Sequence, residues 1–221
     1  MRIQDARARL RRMPHPLPDP PGSLEPVILG RPDAARLWQS SAQAVPERDA
    51  AVLVLLYPDR YGEAHVVLTE RPTGELRHSG QISFPGGARD PGDDFPIGTA
   101  LREAAEEVGL DAHAANVEVL GVLGSMDMRR ISGFHVVPVV AIASSDPELR
   151  PHEREVAAIL RVPVDLFLPD ATITVVEVER DGWSLRYGGY PYGEHHIWGA
   201  TARILGQLGA VIAGARAGPP A

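Results

Sequence analysis

Phe84-Pro-Gly-Gly-Ala-Arg-Asp-Pro-Gly-Asp-Asp-Phe-Pro-Ile-Gly-Thr-Ala-Leu-Arg-Glu-Ala-Ala-Glu-Glu-Val-Gly-Leu110 is the stretch around which the rest of the chain organises itself. Its second half predicts a helix over 99–108, with Thr99 as N-cap and Gly109 as the residue that stops it. Glu103, Glu106 and Glu107 stand at i, i+3 and i+4, so three carboxylates share one helix face. Like charges so close repel, and a hard divalent cation resolves the conflict, because it prefers carboxylate oxygens and water. Leu101, Ala104, Ala105 and Val108 supply the apolar faces that seat the helix. Ahead of it, Gly86-Gly87 lets the backbone come where a side chain could not. Asp90, Asp93 and Asp94 add oxygen ligands or ion-pair partners near the helix N-terminus. An acidic helix face alone is ordinarily solvated surface. Its combination with Gly-Gly, Arg102 and Gly109-Leu110 at fixed distances is what points to a metal site.

Outward from this segment the pattern alternates strands and helices. Ala51-Val-Leu-Val-Leu-Leu-Tyr57 predicts a buried strand, Pro58-Asp-Arg-Tyr-Gly62 a turn, and residues 64–71 the hairpin partner. Residues 72–98 form a long Gly-, Pro- and Asp-rich loop, broken by a short strand near 81–84; a loop of that length is more often functional than not. Further strands are expected at 117–123, 134–143, 156–164, 173–178 and 183–187, and a last helix at 200–213. Mixed strands around a few helices predict an α/β domain layered α/β/α. Domain limits are expected at 1–48 for an N-terminal arm, 49–213 for the domain, and 214–221 for a frayed tail. The arm holds Arg2, Arg7, Arg9, Arg11 and Arg12 on a short helix, then a Pro-rich linker; the helix reads as a solvated arm packed on the domain.

Composition narrows the function. The 221 residues carry 29 acidic and 22 basic side chains, a net charge of −7. That balance disfavours nucleic acid as a partner, as does the lack of an aromatic–basic stripe. No cysteine is present, which removes disulfides, thiolate nucleophiles and Cys-held metals. No apolar run is long enough for a bilayer and no secretory leader opens the chain, so no membrane and a cytoplasmic location are expected.

The segment Gly87 to Leu110 resembles the Nudix box, a glycine and a distant acid followed by Arg-Glu-(apolar)-x-Glu-Glu-x-Gly-(apolar). Gly87, Arg102, Glu103, Ala104, Glu106, Glu107, Gly109 and Leu110 match it. The distant acid is Asp93 instead of glutamate, with one extra residue before Arg102, as in the coenzyme A pyrophosphatase branch. Leu68-Thr-Glu-Arg71 and Gly80-Gln-Ile-Ser-Phe-Pro-Gly-Gly87 are similar to that branch's upstream signature. Ser132-Gly-Phe134, Pro138-Val-Val140, Glu155-Val156 and Trp198-Gly-Ala-Thr-Ala-Arg203 are similar to its later pieces. Pro72, Val67 and Leu76 depart from it, and Arg77 stands one place after the arginine expected at 76.

The resemblance implies a Nudix-type α/β/α sandwich with a mixed sheet. It also implies Mg²⁺- or Mn²⁺-dependent hydrolysis of a pyrophosphate in a small-molecule substrate. Coenzyme A would give adenosine 3′,5′-bisphosphate and 4′-phosphopantetheine. Glu103 and Glu107 are the principal metal ligands and Glu106 a shared one; Arg102 braces Asp93; Glu155, ahead of Glu153, is the candidate general base. Arg71, Arg77, Arg129 and Arg130 are candidates for phosphate binding. His78, Gly86 and Gly87 are candidates for substrate contact, and His195-His196 are read as structural. The same chemistry on ADP-ribose or NADH, and a non-catalytic ligand-binding module, are the alternatives; the second typically loses a metal carboxylate and this chain keeps all three. A homodimer through an exposed apolar strand or the N-terminal helix is left open.

Overall fold

Residues Ala51 to Tyr57 are apolar without a break, and a strand can bury such a run only if both of its faces are covered. The computed structural model, which describes residues 1–30, 48–72, 80–128, 133–180 and 182–214, covers both. In β2 (Arg48–Pro58) successive side chains alternate between two cores. Ala51, Leu53, Leu55 and Tyr57 enter one of them; Val54 and Leu56 enter the other.

On one side β2 pairs in parallel with β8 (Phe134–Ile142), Val52 opposite Pro138. On the other it pairs antiparallel with β3 (Ala64–Glu70) and then with β5 (Gly86–Ala88). The β2–β3 turn is closed by Asp59, whose Oδ1 accepts the Tyr61 and Glu63 N–H groups at 2.8 Å each. Two further strands, β4 (Ile82–Ser83) and β9 (Ala158–Pro163), add to β3. Both β6 (Glu118–Val122) and β7 (Met126–Met128) add to β8, completing a mixed sheet.

One face of the sheet is covered by α2 (Ile97–Val108) through Ala100, Ala104 and Val108. The other is covered by α3 (Gly199–Ala213), α1 (Ile3–Leu10) and the 3-10 turn Val164–Phe167. The architecture is the expected α/β/α sandwich. A smaller antiparallel sheet of β1 (Val27–Leu29), β11 (Trp183–Tyr192), β10 (Thr174–Arg180) and β12 (His195–Trp198) leads directly into α3.

The structure differs from expectation in particulars that have physical causes. The site helix begins at Ile97, so Thr99 lies inside its first turn and caps nothing. Ala105, expected on a seated face, is exposed. The strand expected to stop at Tyr187 runs through Gly188-Gly189 to Tyr192. These glycines look like a break in sequence, yet a Cβ on Gly189 would stand 2.6 Å from the Ile197 carbonyl oxygen, so bare backbone is what allows the strands to pack here.

The basic helix α1 buries Ile3, Ala6 and Leu10 in the sheet's second core. The arginines at its two ends face acids: Arg11 donates to Glu118 from Nε at 3.0 Å and Nη2 at 2.7 Å, and Arg2 lies 3.3 Å from Glu63. Beyond it, Gln207 donates to the Pro18 carbonyl at 3.0 Å, Leu24 is fully buried, and β1 pairs with β11. Among the described residues no helix is long and apolar enough to cross a membrane.

Candidate active site

The loop before α2 is organised by Asp93. Its carboxylate accepts Arg102 Nε at 3.2 Å and Nη2 at 3.0 Å, the Thr99 hydroxyl at 2.8 Å and the Asp90 N–H at 3.0 Å. The two-point hydrogen bond from the Arg102 guanidinium, helped by the Asp90 N–H, holds this carboxyl well below the usual carboxylate range. Arg102 also donates from Nη2 to the Ala88 carbonyl at 3.0 Å, which joins helix, loop and β5 through one planar group. From Nη1 it lies 3.0 Å from Glu103 and 3.1 Å from Glu106. The sequence offered Thr99 only as a cap; its actual partner, Asp93, is six residues back and is reached only because the helix starts early.

Two carboxylates of α2 turn inward toward Gly86-Gly87. Glu107 is only 8% exposed and accepts the Gly86 N–H at 3.2 Å. Burial pushes its carboxyl up to about 7, partly opposed by the Gly86 N–H and the positive charge of Arg71, and reinforced by the charges of Glu103 and Glu155. Glu103, whose side chain is 15% exposed, is raised by burial as well, against the pull of Arg102. A Cβ at Gly87 would stand 2.6 Å from the Glu103 carboxylate, and one at Gly86 2.6 Å from the Val52 Cα. The glycines thus form the floor on which the acids rest.

Glu106 does not join that pair. Its side chain is 60% exposed and faces Arg102. Arg71 and Glu155 are near enough to act on the charge of Glu107. Arg71 is tied to the glycine segment by two backbone bonds, its N–H to the Gln81 carbonyl at 3.0 Å and the Gly80 N–H to its own carbonyl at 3.2 Å. Glu155 is 57% exposed and lies 3.4 Å from His152 Nδ1. No motif marks His152 in the sequence; its N–H donates to the Glu107 carbonyl at 2.8 Å, which moors the Glu155 loop to the end of α2. Arg77, His78, Arg129 and Arg130 lie outside the described residues. His196 Nε2 meets the Thr174 hydroxyl at 3.0 Å, away from these groups.

Among the described residues, no group of three or more acidic or histidine side chains is placed to hold a metal ion. The donor set nevertheless suits Mg²⁺ or Mn²⁺. It is all oxygen, and such ions are commonly held by one or two carboxylates with the remaining positions filled by water and substrate phosphate. A buried acid beside a partly buried one, both raised by desolvation, is also the arrangement that a cation would stabilise.

A model of the NUDIX domain matches residues 47–180, which include β2 through β10 and the whole Asp93–Glu107 arrangement. The chain belongs to the Nudix family. It is 38% identical over 164 residues to an uncharacterized Nudix hydrolase, NudL, of Pectobacterium atrosepticum, covering 73% of this chain and 81% of the relative. The NudL protein of Salmonella paratyphi B is also 38% identical, over 170 residues, covering 77% and 85%. Among solved structures, the Nudix hydrolase RenU of M. smegmatis is 29% identical, covering 57% of this chain and 76% of that one, with a TM-score of 0.47. The Nudix match ends within the smaller sheet, so β11, β12 and α3 are built by sequence beyond it.

Proposed function

We propose that this Nudix chain hydrolyses a pyrophosphate linkage, and that its substrate is coenzyme A or a derivative of it. The observation that carries the hydrolase reading is the pair Glu103 and Glu107, both largely buried, both turned to the Gly86-Gly87 floor of one helix face. Arg102, 3.0 Å from Glu103, offsets part of their charge, and Glu107 is met by the Gly86 N–H; a divalent cation held by the two acids would lower the remaining cost of desolvating them side by side.

A Mg²⁺ or Mn²⁺ ion at this pair would supply charge to offset the pyrophosphate oxygens and would lower the pKa of a bound water. Glu103 and Glu107 are the residues that would hold the ion, while Glu106, 60% exposed, stays on the solvent side of the pair. Arg102 and Asp93 keep the loop in register with the helix. Arg71 contributes positive charge for a phosphoryl oxygen, and Glu155 accepts the proton that the attacking water sheds. Water adds across one P–O–P bond: hydroxyl to one phosphorus, bridging oxygen to the other as leaving group. Two phosphomonoesters result, adenosine 3′,5′-bisphosphate and 4′-phosphopantetheine in the case of coenzyme A.

Support for coenzyme A is the upstream signature, Leu68 to Arg71 and Gly80 to Gly87, which runs on β3 and β4 directly into the glycine floor. Product analysis by chromatography tests both levels. The protein is incubated with Mg²⁺ or Mn²⁺ and, separately, coenzyme A, ADP-ribose and NADH. Selective formation of 4′-phosphopantetheine supports the substrate; selective cleavage of another compound overturns the coenzyme A reading and keeps the hydrolase.

A further inference from the structure

A side chain beyond the Nudix match reaches into the glycine segment. Thr201, 9% exposed, lies in the first turn of α3, and its hydroxyl donates to the Ile82 carbonyl at 3.0 Å across 119 residues of sequence. A threonine near a helix start ordinarily bonds to its own backbone neighbourhood. Here the N-cap is Trp198, no side chain caps the helix, and the hydroxyl is committed to a distant strand.

The bonded strand is β4, and the next four residues lead to Gly86. Along them Ser83 pairs with the buried Thr69, whose Oγ1 lies 3.3 Å from the Ser83 carbonyl oxygen and 3.2 Å from its hydroxyl. Phe84 is buried in the same core as Ile197 of β12 and Ile204 and Leu205 of α3. The Pro85 carbonyl accepts the Leu53 N–H at 2.8 Å, and Gly86 then donates to Glu107 at 3.2 Å. The segment is therefore pinned at every step, on one side by the sheet and on the other by α3 through Thr201.

We propose that Thr201 is a positioning residue for the Glu107 carboxylate. Its bond fixes Ile82, and through the short pinned segment it fixes the Gly86 N–H that orients Glu107. The proposal rests on the metal-site reading above, and it assigns the C-terminal helix a part in the site that the family match does not reach. The chemistry requires a donor on a short side chain in that place; valine keeps the shape and removes the hydrogen, while serine keeps the hydrogen.

The experiment compares the full-length protein with Thr201→Val, Thr201→Ser and Leu208→Val, the last trimming a buried residue of the same helix that has no bond to β4. Hydrogen exchange of the amides in residues 82–88 is measured without metal, and Mn²⁺ affinity by water proton relaxation. Thr201→Val is expected to speed exchange in that segment about tenfold and to weaken Mn²⁺ binding about tenfold, the range typical of groups that orient a metal ligand. Thr201→Ser restores both, and Leu208→Val, compared at equal loss of thermal stability, leaves both near the parent values. Unchanged exchange in Thr201→Val overturns the proposal, as does an equal loss of Mn²⁺ affinity in Leu208→Val. If the parent protein binds no Mn²⁺, the hydrolase reading fails, and the exchange comparison alone then decides whether Thr201 holds the segment.

Discussion

Replacing Glu107 by glutamine removes one charge and almost no volume, and its effect on stability can be worked out from the site. Burial raises this carboxyl from its ordinary 4.5 to about 7. The folded protein therefore binds the proton more readily than the unfolded chain does. Folding loses nothing from this group below about pH 4.5, loses progressively as pH rises, and carries the whole penalty above about pH 7. Each tenfold change in acidity is worth about 1.4 kcal/mol, so the full penalty is about 3 kcal/mol. Glutamine has no charge to desolvate, and its side-chain oxygen can still accept the Gly86 N–H. In EDTA, Glu107→Gln should thus be more stable than the parent by about 3 kcal/mol near pH 8 and by under about 1 kcal/mol near pH 5. For a chain of this length the difference near pH 8 corresponds to roughly 6 to 12 °C in melting temperature. Urea denaturation at the two pH values measures it. Adding Mn²⁺ near pH 8 should raise the stability of the parent and leave the variant almost unmoved, while turnover in the variant is abolished. A stability difference that stays constant between the two pH values would refute the reasoning, because the penalty can come only from ionisation.

The two glycines should separate fold from function: Gly86→Ala drives a Cβ into the Val52 backbone and lowers the melting temperature, whereas Gly87→Ala meets only the movable Glu103 carboxylate and weakens Mn²⁺ binding about tenfold with little loss of stability. Calorimetry and metal titration on the two variants check this, and the reverse pattern would contradict it. Glu155→Gln should lower kcat about a hundredfold while leaving Mn²⁺ affinity unchanged, as expected of a base that does not hold the ion; steady-state kinetics beside metal titration shows whether the two effects separate. Arg102→Ala removes the shared partner of Asp93, Glu106 and the Ala88 carbonyl, so limited proteolysis should cut the 88–96 loop faster than in the parent; an unchanged cutting rate would show that Arg102 is not what braces the loop.

Elements whose signal is local were legible in consecutive residues. The unbroken apolar run at 51–57 required a strand covered on both faces, and the Glu spacing at 103, 106 and 107 required one acidic helix face; Gly109 ends that helix in the left-handed conformation, φ +65°. From these the layered fold and the neighbourhood of the site followed, since period and spacing are carried by consecutive residues. Which of those acids lie against the glycine floor was set by tertiary packing. Glu106 and Glu107 are neighbours in sequence, yet one is drawn to Arg102 and the other is buried against Gly86, because burial depends on what packs over the helix and not on the helix itself. The same holds for Thr99, His152 and Thr201. Their bonds reach Asp93, the Glu107 carbonyl and the Ile82 carbonyl through space, and a hydroxyl or an amide carries no mark in sequence of the distant acceptor that the fold brings to it.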